Sequence, residues 1–155
     1  MNLAQLLSVD QILPEMRSTD HRAAIAELVD HLDAKGLLAG MAKTELIEQF
    51  YRREEQISTG VGSGVAIPHT FVPGLDRVIT AFGRSKGGID FEAHDQAPVF
   101  FVVLFVVPKA EYQLHLKTLA AIAKMFSGTD IRQSLAAAAD AEEILDILAK
   151  RPART

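Results

Sequence analysis

The side chains in this chain that could do chemistry near neutral pH are imidazoles and guanidiniums. The 155 residues include five histidines and no cysteine. Thiol catalysis, disulfide scaffolds and cysteine-ligated zinc are therefore excluded. Of the histidines, which titrate near neutrality unaided, His69 has the most telling surroundings. It follows Thr59-Gly60-Val61-Gly62-Ser63-Gly64-Val65-Ala66-Ile67-Pro68. Glycine at every second position leaves the backbone bare, so the N–H groups of Gly60, Gly62, Ser63 and Gly64 can approach an anion closely. A short β-prone run, Val65 to Ile67, then delivers His69 at its end, with Pro68 fixing the backbone before it. The spacing is neither a dinucleotide fingerprint nor a P-loop, since neither a helix pattern nor Gly-Lys-Ser/Thr follows. The plainer alternative is a glycine turn before a strand, followed by an incidental histidine.

His115 belongs to a helical pattern. Leu119, Ile122 and Phe126 follow it at helical spacing, which puts it on the inward stripe. It also falls in the first helical turn, where the dipole disfavours positive charge and should keep the ring neutral. A neutral imidazole donates one hydrogen bond and accepts another. A satisfied core histidine is the competing account. Arg53 lies three residues after Phe50 and seven after Leu46, on the apolar side of a helix near its C-terminus. It is either a cation favoured by the helix dipole or a guanidinium aimed at a partly buried anion such as phosphate. His21 and His31 sit in a helix with acidic neighbours nearby and read as structural or exposed. His94, within Asp90-Phe91-Glu92-Ala93-His94-Asp95, matches no zinc spacing and reads as loop.

The elements that must position these residues mix two periods. A helix is expected from Asp20, as N-cap, to Ala34, with Ile25, Leu28, Val29 and Leu32 as its stripe and Gly36 as its stop. A second runs from about Ala42 to Glu54 around Leu46, Ile47 and Phe50. Strands are expected at Val65–Ile67, Val78–Phe82 and Val99–Val107. The last is nine apolar residues without alternation, so both its faces should be buried. It is too short to cross a bilayer as a helix. Three helices should follow: Glu111 to Phe126, a short one capped by Asp130 with Gln133, and a last one capped by Asp140 with Glu143. The expected class is α/β, a central sheet sandwiched by helices.

Length and composition are consistent with this. A chain this long buries roughly two-thirds of its unfolded surface and folds without a disulfide or metal. Hydrophobic residues are 48%, charged residues 23% and the net charge is −4, which argues against nucleic-acid binding by bulk charge. Met1 to Asp10 lacks the basic start of a secretory signal. A single cytoplasmic domain over 1–155, without membrane insertion, is expected.

Three blocks carry a family resemblance. The first is Arg53-Glu54-Glu55-Gln56-Ile57-Ser58-Thr59-Gly60-Val61-Gly62-Ser63-Gly64-Val65-Ala66-Ile67-Pro68-His69. The second is Gly87-Gly88-Ile89-Asp90-Phe91. The third is His115-Leu116-Lys117-Thr118-Leu119-Ala120. Together they resemble the type-2 enzyme IIA (EIIA) domains of the bacterial phosphoenolpyruvate-dependent phosphotransferase system. This is the fructose/mannitol class, which includes the nitrogen-regulatory proteins. Thr70 stands where many members have glycine, Ser63 where the nitrogen-regulatory group often has asparagine, and the connection Lys109 to Gln113 is short.

The resemblance implies a mixed parallel and antiparallel sheet sandwiched by helices, the mannitol-type enzyme IIA fold. It implies that His69 accepts a phosphoryl group from the phosphocarrier HPr, that His115 hydrogen-bonds and positions His69 or its phosphate, and that Arg53 helps neutralise the charge. No metal and no diffusible cofactor is implied. The next partner is either a regulatory target, as in the nitrogen-regulatory members, or a IIB domain of a fructose- or mannitol-type sugar transporter. A domain that kept the fold as a non-catalytic interaction module is the reading from a different class.

Overall fold

The computed structural model describes residues 3–56, 60–91 and 97–150. The expected loop around His94 and the Ile57-Ser58-Thr59 part of the glycine block lie outside the described residues.

After two short 3-10 turns, strand β1 (Ile12–Leu13) leads to helix α1 (His21–Ala34). The Asp20 carboxylate caps α1 by accepting from the Ala23 amide at 2.9 Å. The expected stripe is fully buried, and Gly36 takes the left-handed turn after the helix at φ +70°. Helix α2 (Lys43–Gln56) follows, then β2 (Gly60–Gly62), β3 (Val65–Ala66), β4 (His69–Val72), β5 (Ile79–Ile89) and β6 (Val99–Pro108). Helices α3 (Tyr112–Phe126), α4 (Thr129–Ala137) and α5 (Ala141–Lys150) close the described chain.

The six strands form one mixed sheet in the order β1-β5-β6-β3-β2, with β4 also pairing β6. On one side β6 pairs antiparallel with β5. On the other it pairs parallel with β3 and then with β4. β6 is the strand the unalternating apolar run predicts. Phe101, Val103, Phe105 and Val107 pack with α3, α4 and α5, while Val102, Leu104 and Val106 pack with α1 and α2. Both faces are covered, as the expected sandwich requires. Among the described residues no helix is long and apolar enough to cross a membrane.

Several local expectations are corrected. β3 ends at Ala66, before Pro68, but pairing with β6 continues beyond it: the Pro68 carbonyl accepts from Phe105 N at 2.9 Å, and the ladder resumes at His69↔Phe105. His69 therefore opens β4 rather than closing the preceding strand. β5 continues past Phe82 to Ile89: Gly83 pairs with Val102 of β6, while Gly87 and Gly88 sit in the irregularity between Arg84↔Phe101 and Ile89↔Val99, where Gly88 takes φ +90°. The stretch Gly60–Gly62 is strand, and only Ser63–Gly64 forms the turn. Asp130 does not cap α4; Gly128 holds that position without a side-chain bond. Asp140 does accept from the Glu143 amide at 2.9 Å, but the Glu143 carboxylate reaches back to Ala139 N at 2.9 Å, one residue before the cap.

Candidate functional site

Successive strand residues face opposite ways, so His69 and Phe71 share one face of β4. Phe71 packs with the cluster beneath α3, and its ring lies 4.8 Å from that of Tyr112, the first residue of α3. Its other neighbours are the His69 ring, edge-on at 5.9 Å, and the Arg53 guanidinium, 5.3 Å from the ring centroid. Arg53 reaches this place from the last turn of α2, whose apolar stripe anchors it through buried Leu46 and Phe50.

Arg53 Nη2 lies 2.9 Å from His69 Nε2, and His69 Nδ1 lies 2.8 Å from the Ile67 carbonyl oxygen. These two contacts assign the tautomer. A carbonyl oxygen only accepts, so Nδ1 carries the hydrogen; a guanidinium only donates, so Nε2 presents its lone pair. His69 is half-buried, and its pKa lies below the ordinary 6.5. Burial is the chief cause; the Ile67 carbonyl opposes it and the Arg53 charge adds to it. The imidazole is thus neutral near pH 7, with a lone pair at a defined nitrogen beside a fixed cation. Arg53 Nε is buried without a hydrogen-bond partner.

His115 is buried, 3% exposed, on the inward stripe of α3 as expected. Its ring does not hydrogen-bond His69. Nε2 contacts Glu111 Oε2 at 3.2 Å, one turn earlier, while Nδ1 is buried with no partner. Gly60 and Gly62 sit opposite Ala66 and Val65 in the β2–β3 pair. Gly62, Ser63 and Gly64 all have positive φ. At Gly64 a Cβ would also meet the Phe100 ring at 3.2 Å, so glycine is needed there twice over. The structure thus joins Arg53 to His69, sets His115 on the helix that covers the same face, and builds most of the glycine block into the sheet. His21 sits 5.8 Å from the Phe91 ring, and His31 Nε2 bonds the Asp10 carbonyl at 2.8 Å.

The sequence reading missed Phe71, Tyr112 and Glu111 as neighbours of these groups. Two of the signals were available: Phe71 is two residues past His69, the strand period, and Glu111 is four before His115, the helix period.

Known proteins share this architecture. The chain is 36% identical over 154 residues to a nitrogen regulatory protein of Bradyrhizobium diazoefficiens, covering 99% of this chain and 98% of the relative. It is 32% identical over 148 residues to the fructose-specific EIIABC component of Bacillus subtilis, covering 96% of this chain and 23% of that larger protein. The crystal structure of the nitrogen regulatory protein IIA-Ntr from Neisseria meningitidis superposes with a TM-score of 0.86 at 30% identity, covering 94% of this chain and 98% of the other. Residues 5–151 match the family model of the phosphoenolpyruvate-dependent sugar phosphotransferase system, EIIA 2, and the chain belongs to that family.

Proposed function

We propose that this chain is a histidine phosphocarrier in which His69 Nε2 accepts a phosphoryl group from a phosphorylated HPr-type protein. The observation that carries the proposal is the tautomer: Ile67 holds the hydrogen on Nδ1 at 2.8 Å, leaving the Nε2 lone pair beside Arg53 at 2.9 Å. In the transfer, that lone pair attacks phosphorus and a new N–P bond forms. The N–P bond to the donor histidine breaks, and its electron pair stays on the donor ring. Nδ1–H remains on Ile67 throughout.

Such chemistry asks the protein mainly for positioning and charge stabilisation. Arg53 has two tasks in sequence. Before transfer its Nη2 occupies the lone pair that must attack, so it has to let go. Once the phosphoryl group arrives, with about 1.5 to 2 negative charges, the same guanidinium meets its oxygens. The buried, unpartnered Arg53 Nε gives it a second donor for that purpose. His115, on the helix over the same face, donates Nε2–H to Glu111. Its unpaired Nδ1 therefore becomes a further donor to the phosphate only when the ring takes up a second proton, with the Glu111 carboxylate as its counter-charge.

The chain is read as one domain of this type over 1–155, a cytoplasmic transferase component in a regulatory role like that of its nitrogen-regulatory relatives. The second reading, passing the phosphoryl group to a IIB domain of a sugar transporter, draws on the 32% identity to the fructose component. The test is phosphorylation with phosphoenolpyruvate, enzyme I and HPr, followed by intact mass. One acid-labile phosphoryl group is expected, absent in a folded His69→Ala variant. If His69→Ala still takes up one phosphoryl group, the site assignment fails. If the folded wild type takes up none from an active donor, the phosphocarrier reading fails.

A further inference from the structure

The sheet carries a buried arginine away from these contacts. Arg84, on β5, is 1% exposed and extends between the sheet and α4. Its Nε donates to the Pro14 carbonyl at 3.0 Å, and its Nη1 to the carbonyls of Leu135 and Ala138 at 2.9 and 2.5 Å. These bonds tie the last carbonyls of α4 to the sheet. They leave two things unexplained. Nη2 is buried with no hydrogen-bond partner. Among the described residues the positive charge, taken out of water, faces carbonyl dipoles and makes no ion pair. A buried cation without a counter-charge is costly.

Arg84 forms part of the wall of a cavity of about 680 Å³ between β5, the start of β6 and α4. That volume is in the usual range for small-molecule sites. The described wall contains no carboxylate. It adds Arg132 and Lys86 to Arg84 on the polar side, and Pro98, Phe100 and Phe101 on the apolar side. Arg132 is half-buried and held in place by donating Nη1 to the Phe126 carbonyl at 2.7 Å. Lys86 is exposed and lies 3.6 Å from Glu15, which is itself exposed, so that pairing is weak and exchangeable.

We propose that this cavity binds a small organic anion, its carboxylate or phosphate oxygens on Arg84 Nη2 with Arg132 and Lys86 at the mouth, and its apolar body against Phe100 and Phe101. The pairing supplies the counter-charge Arg84 lacks. An apolar body alone would leave the guanidinium as it is, and an inorganic ion alone would leave the aromatic wall uncovered. The cavity wall also includes Ser63 and Gly64, so an occupant touches the turn that leads through β3 to His69.

Four probes test the proposal by amide shift titration of the full chain: benzoate, phenyl phosphate, inorganic phosphate, and benzamide as the neutral counterpart of benzoate. Saturable shifts at Gly64, Ser85 and Gln133 are expected for benzoate, phenyl phosphate or both, with a Kd below about 1 mM. Benzamide and inorganic phosphate should each bind at least about tenfold more weakly. Which aromatic anion wins assigns carboxylate or phosphate as the natural group. Arg84→Met should abolish binding, but it also removes the bonds to three carbonyls and can unfold the chain. Ala136→Trp fills the cavity from the exposed side of α4, leaves every Arg84 bond in place, and should abolish binding as well. Benzamide or inorganic phosphate binding as tightly as the better aromatic anion, no saturable shift with either aromatic anion, or full binding by Ala136→Trp each overturns the proposal. All of these readouts are independent of phosphorylation, so they stand or fall apart from the phosphocarrier reading.

Discussion

His69 and His115 serve the same face of the sheet from different elements, and their surroundings differ in kind. His69 has both ring nitrogens engaged, by Ile67 and Arg53. Neither partner is an acid, and its tautomer is fixed. His115 has an acid on Nε2 and nothing on Nδ1, although it is far more buried. A buried polar atom without a partner costs about 1–3 kcal/mol, so His115 is a poor way to build a core. His69 has one nitrogen held protonated and the other keeping its lone pair against Arg53, the form that the proposed nucleophile needs. His115 has an unpaired nitrogen that a new neighbour could engage. Burial alone does not tell the two histidines apart; the chemistry of their partners does.

The largest effect should come from breaking the His69 side of that contrast. Arg53→Met keeps much of the side-chain bulk on Phe71 and removes the charge. Loss of a preorganised charge or donor at a transferring group costs about 10²–10³ in rate. Transfer from phosphorylated HPr to His69, followed by quenched-flow and intact mass, should slow by about that factor. Arg53→Lys should recover part of the loss, since it restores charge without the fork of donors. A rate within threefold of wild type in Arg53→Met would make the Arg53–His69 contact incidental.

His115 should show a split that His69 cannot. Replacing it with leucine removes the unpartnered Nδ1 and fills similar space with apolar atoms. Denaturant unfolding should show stability unchanged or higher by about 1 kcal/mol. Phosphoryl transfer should fall by about tenfold, one lost hydrogen bond to the phosphorylated state. Glu111→Gln keeps an acceptor for Nε2–H and should lie between wild type and His115→Leu. A large loss of stability in His115→Leu with unchanged transfer would make His115 purely structural.

Much of this arrangement was legible in residues before it was visible in space. Asp20, the α1 stripe and the unalternating run of β6 read correctly because capping chemistry and burial act locally or along a whole strand. β4 did not. His69 was expected at the end of a strand, but the Pro68 carbonyl still accepts, and the parallel partner that uses it and starts β4, Phe105, is far away in sequence. Gly83, Gly87 and Gly88 hid the length of β5: Gly83 is held by its pairing with Val102, and Gly87 and Gly88 lie in an irregularity after which the ladder resumes at Ile89↔Val99. At the site, Arg53 and His69 were legible as residues but their mutual distance was not. Arg84 was missed entirely, because a single arginine in a strand carries no periodic signal, and only the packed structure shows that its charge has no counterpart.

The smallest effect, and the sharpest test of which force sets the His69 proton, is in its titration. Burial lowers the folded pKa below 6.5, and Arg53 is the lesser contributor. A histidine depressed in the folded state binds its proton more readily when unfolded. Stability therefore has its full contribution above 6.5 and loses it as pH falls from 6.5 through the folded value. Unfolding measured at about pH 7.5 and about pH 5.5 should show wild type losing more stability on acidification than His69→Gln, whose side chain does not titrate. The direct readout is the His69 ring proton in an NMR titration, with a midpoint expected below 6.5. In Arg53→Met the midpoint should rise but stay below 6.5, because burial remains. A return to 6.5 in that variant would mean that Arg53, and not burial, keeps the nucleophile neutral. A wild-type midpoint at or above 6.5 would contradict the depressed pKa itself and leave a larger protonated fraction of His69 near neutral pH.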